Sequence, residues 1–395
     1  VETSGRNQLR VGGLRVDTGG GRWLLDPNDF TIAAAGGDIT GSDLSANLAN
    51  NSVAILSSSG ATPGNGDIFV NDAVTWGSGH SLELYAYRNI YINQPIDGGV
   101  SGGVALRPDQ FGNDTGTVIF GGVGHVTAFN TTIHYNPPSY ATPTDFSPNV
   151  TGSRDVMMLV NSLGNEGDEI AGTRGLQAIA TNLGGRYVLG VPLIDASPTA
   201  TWNSGAGFAP IGSPVTPFTG EFHGFGRAIS GLTINRPTTD HVGLFGQVDA
   251  PGNVHSLNVF AASVVGREHV GAVVGLLNLG SVIGVQANGS VTGNGYDVGG
   301  VVGFNQGGYI ANVNFNGTVS GGASGRRTGG LVGANWGQIH ASSSLATVNG
   351  VHEVGGLVGG GDGIIDASEA SGAVIGTGDD VGGLVGHAWG GSISN

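Results

Sequence analysis

The chain has 395 residues, of which 77 are glycine and none is cysteine, and its formal net charge at pH 7 is −15. The absence of cysteine excludes disulfides and thiolate chemistry, and the 14 basic residues, all arginine, form no basic stripe suited to nucleic acid or anionic membranes. Hydrophobic residues make up 39%, enough for a folded core, and no run of 18 apolar residues predicts membrane insertion.

The first part of the chain, residues 1–135, alternates apolar and polar residues over short stretches such as DIFVNDAVTW and SLELYAYRNIYINQPI. This alternation predicts half-buried β-strands. One stretch, residues 42–50, predicts a helical turn with Ser42 or Asp43 as its N-cap. The N-terminus begins within a strand-like pattern and lacks a signal peptide, so we expect a piece of a longer chain.

The succession DPNDFTI, GDIT, GDIFVN and LELYAYRNI, between residues 8 and 135, resembles the filamentous-haemagglutinin-like adhesins exported by two-partner secretion. The resemblance implies a right-handed parallel β-helix. It also implies passage through an outer-membrane transporter and a secreted or bacterial cell-surface location.

The next part, residues 136–235, has fewer strand patterns and more turn residues. Pro137, Pro138, Pro143 and Pro148 interrupt regular structure, so we predict a loop excursion near residues 136–175. The stretches MMLVNSL and GLQAIATNL, within residues 157–181, suggest short helices flanking the solenoid.

The last part, residues 236–395, repeats a hexad with the consensus V-G-G-[LV]-V-G. Its six copies are separated by 28, 28, 30, 26 and 27 residues, and a nearly constant period predicts a stacked array. The copies start at Val242, Val270, Val298, Thr328, Val354 and Val381.

Each repeat has three short apolar pieces bounded by Gly or Asn: the hexad, a piece such as GSVIGV, and a piece such as NGSVTG. Three strands in about 28 residues make one coil of an all-β, parallel β-solenoid. Stacked coils bury Val and Ile that one coil leaves exposed, and glycine allows sharp corners. At about 20–28 residues per coil, we expect a rod about 70–95 Å long.

The hexad resembles the GLUG repeat over roughly residues 241–395, and WNSGAGFAPIG and PFTGEFHGFGRAISGLTI resemble the region that precedes such repeats. One departure is His223, where that family more often has Asp. The resemblance implies a large secreted bacterial adhesin that attaches cells to surfaces or to biofilm matrix.

Four residues are candidates for ligand binding. Trp336 and Trp389 follow the hexad at the same position two coils apart, and Asn305 and Asn335 share a position in adjacent coils. A column of turn tryptophans can stack on sugar rings, which predicts exopolysaccharide or host or neighbouring-cell surface glycans as partners. The alternative is that each tryptophan caps a turn by packing on the next coil.

No pattern predicts a cofactor or a metal, apart from a weak calcium alternative at Asp379 and Asp380. We interpret the acidic residues of the repeats as solvated residues in Gly-rich turns: Asp362, Asp366, Glu369, Asp379 and Asp380. Asx-turn chemistry explains Asp26 and Asp29 without a site.

No catalytic motif occurs in a suitable setting, so no catalytic residue is assigned and the protein is predicted not to be an enzyme. The leading hypothesis is a rod-forming, adhesive segment. The alternative is a β-helix protein that binds or degrades polysaccharide, with a site within residues 136–235.

Overall fold

The computed structural model describes residues 1–4, 9–58 and 64–394, and it confirms an all-β, parallel β-solenoid. The chain divides into two compact units, Val1–Asn161 and Ser162–Asn395. In both units the strands pair in parallel with equivalent strands of neighbouring turns. No helix in the described part of the chain is long and apolar enough to span a bilayer.

The first unit has three columns of stacked strands. The longest contains Glu2–Ser4, Arg22–Asp26, Ser52–Leu56, Ser81–Tyr85, Gly103–Arg107, Val126–Tyr135 and Val150–Val160. The second contains Phe30–Ile32, Ile68–Val70, Ile90–Ile92 and Val118–Phe120. The third contains Val74–Thr75 and Ile96–Asp97, and continues into the first residues of the two longest strands.

The core of this unit follows from the alternation in the sequence. Trp23, Val53, Leu82 and Val104 lie over one another in consecutive turns, and all four are buried. Each buried aliphatic side chain of this kind stabilises the fold by about 1.5–3 kcal/mol.

The predicted helical turn is the α-helix Gly41–Leu48, but its N-cap is Thr40. The Thr40 hydroxyl accepts a hydrogen bond of 3.0 Å from the Asp43 N–H. The prediction of Ser42 or Asp43 as the cap was therefore wrong. Since serine, threonine and aspartate all cap well, composition does not distinguish them.

Part of the predicted excursion is regular structure. Met157 and Met158 are buried in the strand Val150–Val160, so the predicted helix over MMLVNSL is wrong. GLQAIATNL does contain a short helix, the 3-10 helix Gln177–Thr181. The other short helical segments of the second unit are Asp168–Ala171, Ser197–Thr201 and Trp202–Gly205.

The second unit contains the repeats, and its longest column has eight strands. They are Arg186–Leu189, Glu221–His223, Asn253–His255, Ser281–Ile283, Tyr309–Ala311, Gln338–His340, Ile364–Asp366 and Ser392–Ser394. At about 4.8 Å per step, this column is about 34 Å long. Its buried centre is a row of aliphatic side chains, Val254, Val282, Ile310, Ile339 and Ile365.

A second face of this unit is formed by strands that correspond to the third apolar piece of each repeat. They are Leu193–Asp195, Ala228–Ser230, Thr233–Asn235, Asn258–Gly266, Gln286–Gly293, Asn314–Gly321, Ser343–Ser344, Thr347–Gly350, Glu369–Ala370 and Val374–Gly376.

The hexad contributes to two further columns because it bends in its middle. Its first residues belong to Val298–Gly299, Arg326–Gly329, His352–Gly355 and Val381–Gly382. Its last residues belong to Phe245–Asp249, Val274–Asn278, Val302–Gln306, Val332–Asn335, Val358–Gly361 and Val385–Ala388.

The bend explains the glycines of the hexad. A Cβ on Gly299 would lie 2.1 Å from the carbonyl oxygen of Val302, in the same turn. A Cβ on Gly303 would lie 2.4 Å from the main chain of His269, in the preceding turn. The two arms of the hexad therefore pack backbone against backbone, an approach that any side chain would prevent.

Candidate functional site: the corner column of the repeats

One polar or charged residue stands immediately before every hexad, and each has a positive φ, between 52° and 64°. We call this set the corner column: His241, His269, Asp297, Arg327, Glu353 and Asp380. A left-handed conformation costs a non-glycine residue about 1–2 kcal/mol. Its recurrence in six turns shows that the repeat geometry imposes it.

The corner column faces a second set of residues on the strand that follows the hexad. These registered positions are Gln247, Leu276, Phe304, Ala334, Gly360 and His387. Leu276, Phe304 and Ala334 form a small buried apolar cluster. The charged column is thus partly shielded from water on one side.

Ion pairs connect the corner column from turn to turn. Asp297, which is only 1% exposed, lies 2.8 Å from His269 Nδ1 and 2.5 Å from Arg327 Nε. Burying an unpaired carboxylate is costly, and the Arg327 guanidinium compensates for it.

The later turns continue the pattern. Glu353 is buried and lies 3.1 Å from Arg326 Nε, and Asp380 lies 3.0 Å from His387 Nδ1. Arg326 and Glu353 come from strands of adjacent turns, whereas Asp380 and His387 belong to the same turn. The charges therefore tie neighbouring segments of the corner together.

Aromatic rings run along the same corner. The His241 and His269 rings are 4.9 Å apart, His269 and Phe304 are 5.3 Å apart, and Phe304 contacts Trp336 edge-to-face at 4.5 Å. Such contacts favour a fixed ring orientation. The row ends at a tryptophan on the surface.

Both tryptophans that the sequence predicts as ligand-binding residues lie on the surface beside the corner column. Trp336 is 45% exposed and Trp389 is 51% exposed. They follow the registered positions Asn335 and Ala388, and the equivalent residue of the turn between them is Asp362. The structure thus places them two turns apart, about 10 Å along the stack.

Arg327 connects the tryptophan surface to the buried ion pair. Its guanidinium lies 5.6 Å from the Tyr296 ring and 5.9 Å from the Trp389 ring, while its Nε faces Asp297. A cation at this distance from aromatic faces attracts them. The result is an amphipathic surface of aromatic rings and one guanidinium.

Asn305 and Asn335, the other two predicted ligand-binding residues, are buried. Asn305 Nδ2 donates to Asn335 Oδ1 at 2.8 Å and to the Gly308 carbonyl at 3.2 Å. The pair forms an asparagine ladder between adjacent turns, in which Asn305 Nδ2 and both amide atoms of Asn335 have protein partners and Asn305 Oδ1 is buried without one. A contribution to ligand binding from them would be indirect.

The weak calcium alternative at Asp379 and Asp380 stays a prediction. Among the described residues, no group of three or more His, Asp or Glu side chains is placed to hold a metal. The interpretation of Asp366 and Glu369 as turn residues was wrong, because they lie in the strands Ile364–Asp366 and Glu369–Ala370.

Burial makes His241 a source of pH dependence. Burial first and the nearby His269 second lower the pKa of His241 to about 4, against Asp240, which raises it. In the unfolded chain this histidine titrates near its ordinary value of about 6.5. The unfolded state then binds more protons between these values, so its protonation favours unfolding as the pH falls from about 6.5 to 4.

We expect the His241→Gln variant to lose less stability than the wild type between pH 6.5 and pH 4, because it lacks this titrating group. The measurement is the urea midpoint of the full chain at both pH values, followed by circular dichroism. His125→Gln, an exposed histidine of the first unit, is the control and should leave the slope unchanged. A wild-type slope in His241→Gln would contradict the assignment.

Sequence reasoning missed the corner column, although a signal is present. Two residues, at least one of them charged, precede every hexad: DH, EH, YD, RR, HE and DD. Their chemical type changes from turn to turn, and only their position recurs. A search for recurring residue types therefore does not detect them.

Comparison with known proteins gives a partial similarity. A segment of 107 residues is 42% identical to halomucin of Haloquadratum walsbyi. The segment is 25% of this chain and 1% of halomucin, so the chain corresponds to a very small share of that protein. No family model and no solved structure matches the chain.

Proposed function

We propose that this chain is a rod-forming segment of a large secreted or cell-surface adhesin, and that it holds cells to a surface or to biofilm matrix without catalysis. The observation that carries the proposal is the stacking of equivalent turns, which repeats one surface along each unit at about 4.8 Å. Such a surface suits display and multivalent contact.

Two further observations support the proposal. Halomucin, the protein with partial similarity, is a very long chain, since the matched segment of 107 residues is 1% of it. The absence of cysteine suits a chain that crosses an oxidising compartment unfolded, because it has no thiols to crosslink on the way. We further propose that it belongs with filamentous-haemagglutinin-like proteins exported by two-partner secretion and carrying GLUG repeats, on the sequence patterns described above.

The ligand surface in this proposal is the tryptophan side of the corner column, and the ligand is a glycan. Trp336 is held edge-on by Phe304, and Trp389 is held by Arg327. A fixed aromatic ring loses little conformational entropy when a sugar stacks on it. The guanidinium of Arg327 is a donor for hydroxyl or carboxylate groups of the glycan.

We expect the double variant Trp336→Ala/Trp389→Ala to weaken binding of the full chain to immobilised exopolysaccharides and surface glycans at least ~10-fold. The reason is the loss of both stacking surfaces. The measurement is equilibrium binding across a glycan array.

The matched control removes two exposed aromatic rings from the other unit, Phe111→Ala/Phe129→Ala, and should bind as the wild type does. Undiminished binding by the tryptophan variant would remove the glycan surface from the corner column. Absence of binding by the wild type to any glycan would argue for a spacer role.

The exposed tryptophans also favour a second candidate, a polysaccharide-active protein. Incubation of the full chain with a panel of polysaccharides tests it. New reducing or unsaturated ends above a boiled control would show catalysis and contradict the non-catalytic role.

A further inference from the structure

A buried polar cluster of the first unit lies in the loop after the strand Gly103–Arg107. Its centre is Asp109, which is fully buried and has a φ of 51°. The main-chain N–H of Asp109 donates to the Arg88 carbonyl at 3.1 Å, and Asp109 Oδ1 accepts from the Asn113 N–H at 2.6 Å. The loop therefore holds one carboxylate oxygen, Oδ2, toward the interior.

Two amide side chains converge on that oxygen. Asn136 Nδ2 lies 2.8 Å and Asn161 Nδ2 lies 2.7 Å from Asp109 Oδ2. Asn136 directly follows the strand Val126–Tyr135, and Asn161 directly follows the strand Val150–Val160. Rigid strands thus position both amides.

Oxygen atoms crowd around these amides. Asn161 Nδ2 also lies 3.1 Å from Asn136 Oδ1 and 3.3 Å from Asp114 Oδ1, and Asn136 Nδ2 lies 3.2 Å from the Gly116 carbonyl oxygen. An amide nitrogen has two protons, so the three acceptors near Asn161 Nδ2 exceed what it can satisfy.

The oxygen of the same amide, by contrast, has no donor near it. Asn161 is only 9% exposed, and its Oδ1 is buried without a hydrogen-bond partner. Turning the amide by 180° exchanges its nitrogen and oxygen. Oδ1 then lies among the oxygens of Asp109, Asp114 and Asn136, which is favourable only with a cation between them.

The donor set fits one cation in particular. Two carboxylates, two amide oxygens and one main-chain carbonyl are the ligand types of Ca²⁺, which binds oxygen at about 2.3–2.6 Å in flexible geometry. With the Asn161 amide turned, its Oδ1 lies 2.7, 3.3 and 3.1 Å from the oxygens of Asp109, Asp114 and Asn136. Oxygens that share such an ion lie about 2.8–3.4 Å apart. Mg²⁺ is smaller and requires near-ideal octahedral geometry.

Charge favours a cation at the same place. The carboxyl groups of Asp109 and Asp114 both lie within 3.3 Å of the Asn161 amide nitrogen. A divalent ion between them would compensate for their negative charge.

We propose that Asp109, Asp114, Asn136, Asn161 and the Gly116 carbonyl bind one calcium ion. Asp114 is partly exposed and gives the ion a path from solvent. The site joins the loop at residues 109–116 to the ends of two strands. It lies in the first unit and is independent of the proposed glycan surface.

The test is calcium titration of the full chain after dialysis against a chelator. We expect one equivalent of Ca²⁺ to bind by calorimetry, with Mg²⁺ weaker, and excess Ca²⁺ to raise the melting temperature by at least ~2 °C. Asp114→Asn keeps the size of a partly exposed side chain and should weaken Ca²⁺ binding at least ~10-fold. Asn161→Ala, at the other side of the cluster, should do the same.

The matched control is Asp97→Asn, a carboxylate of the same unit that accepts from the Gly99 N–H and lies outside the cluster. It should bind Ca²⁺ as the wild type does. Absence of saturable Ca²⁺ binding by the wild type would overturn the proposal, whatever the variants do. So would unchanged binding by folded Asp114→Asn or Asn161→Ala.

Discussion

Gly330→Ala is expected to destabilise the repeat unit by about 3 kcal/mol, because the added methyl group has no space. Its Cβ would lie 2.1 Å from the Gly356 carbonyl oxygen of the next turn and 2.2 Å from Ser344 Oγ. The serine can rotate, but the carbonyl belongs to the ladder and cannot move without separating two turns. The urea midpoint of the full chain measures the effect.

Gly383 occupies the same hexad position and provides the control. A Cβ there meets nothing within 4 Å, and neither glycine has a positive φ. Gly383→Ala should therefore be neutral or stabilising by up to ~1 kcal/mol, since alanine restricts the unfolded chain. Equal midpoints for the two variants would show that the turns are not packed as tightly as described.

The second large effect is expected at Asp297. Asp297→Asn removes the charge that compensates Arg327, and breaking a buried ion pair costs about 3–5 kcal/mol. Arg327 would keep its charge beside a neutral amide. We expect a lower urea midpoint that 0.5 M added salt restores only in small part, since buried pairs are poorly screened.

The control for Asp297→Asn is Asp366, a more exposed acid that is also paired with a histidine. His340 Nδ1 lies 2.7 Å from Asp366 Oδ2, and these side chains are 46% and 42% exposed. Asp366→Asn should leave the midpoint nearly unchanged, since exposed pairs contribute little. If Asp297→Asn proved as mild as this control, the corner column would not contribute to stability.

The stack was predictable because its signal is periodic. Val282 and Ile310 recur in register, one repeat apart, and both lie in the aliphatic row of the longest column. Periodicity of this kind reports which positions face the core. The hexad glycines were also readable as corner residues, although the close approach of the two backbone arms at these glycines was not.

Other features carried no such signal. The run MMLV is apolar throughout, so it lacks the alternation that separates a strand from a helix, and Val150–Val160 is a strand because it pairs with Val126–Tyr135. Asn305 and Asn335 share one position, which fits a buried ladder as well as a ligand site. The local sequence does not distinguish the two.

The calcium cluster was beyond sequence reasoning for a different reason. Asp109, Asn136 and Asn161 are separated by 27 and 25 residues. Their meeting depends on how far each strand extends before its turn. Each residue alone reads as an ordinary loop residue.

The bend in the middle of the hexad has a consequence for how the number of repeats in the gene can change. Every interior turn offers the same glycine-lined arms to the turn on either side, so an in-frame duplication or loss of 26–30 residues in the gene joins surfaces that already match. We expect substitutions at the closely packed glycines of interior turns, such as Gly330, to destabilise the stack, whereas the gain or loss of a whole repeat preserves its contacts. Such a molecule can vary its reach between strains by unequal recombination while each surviving coil keeps its contacts.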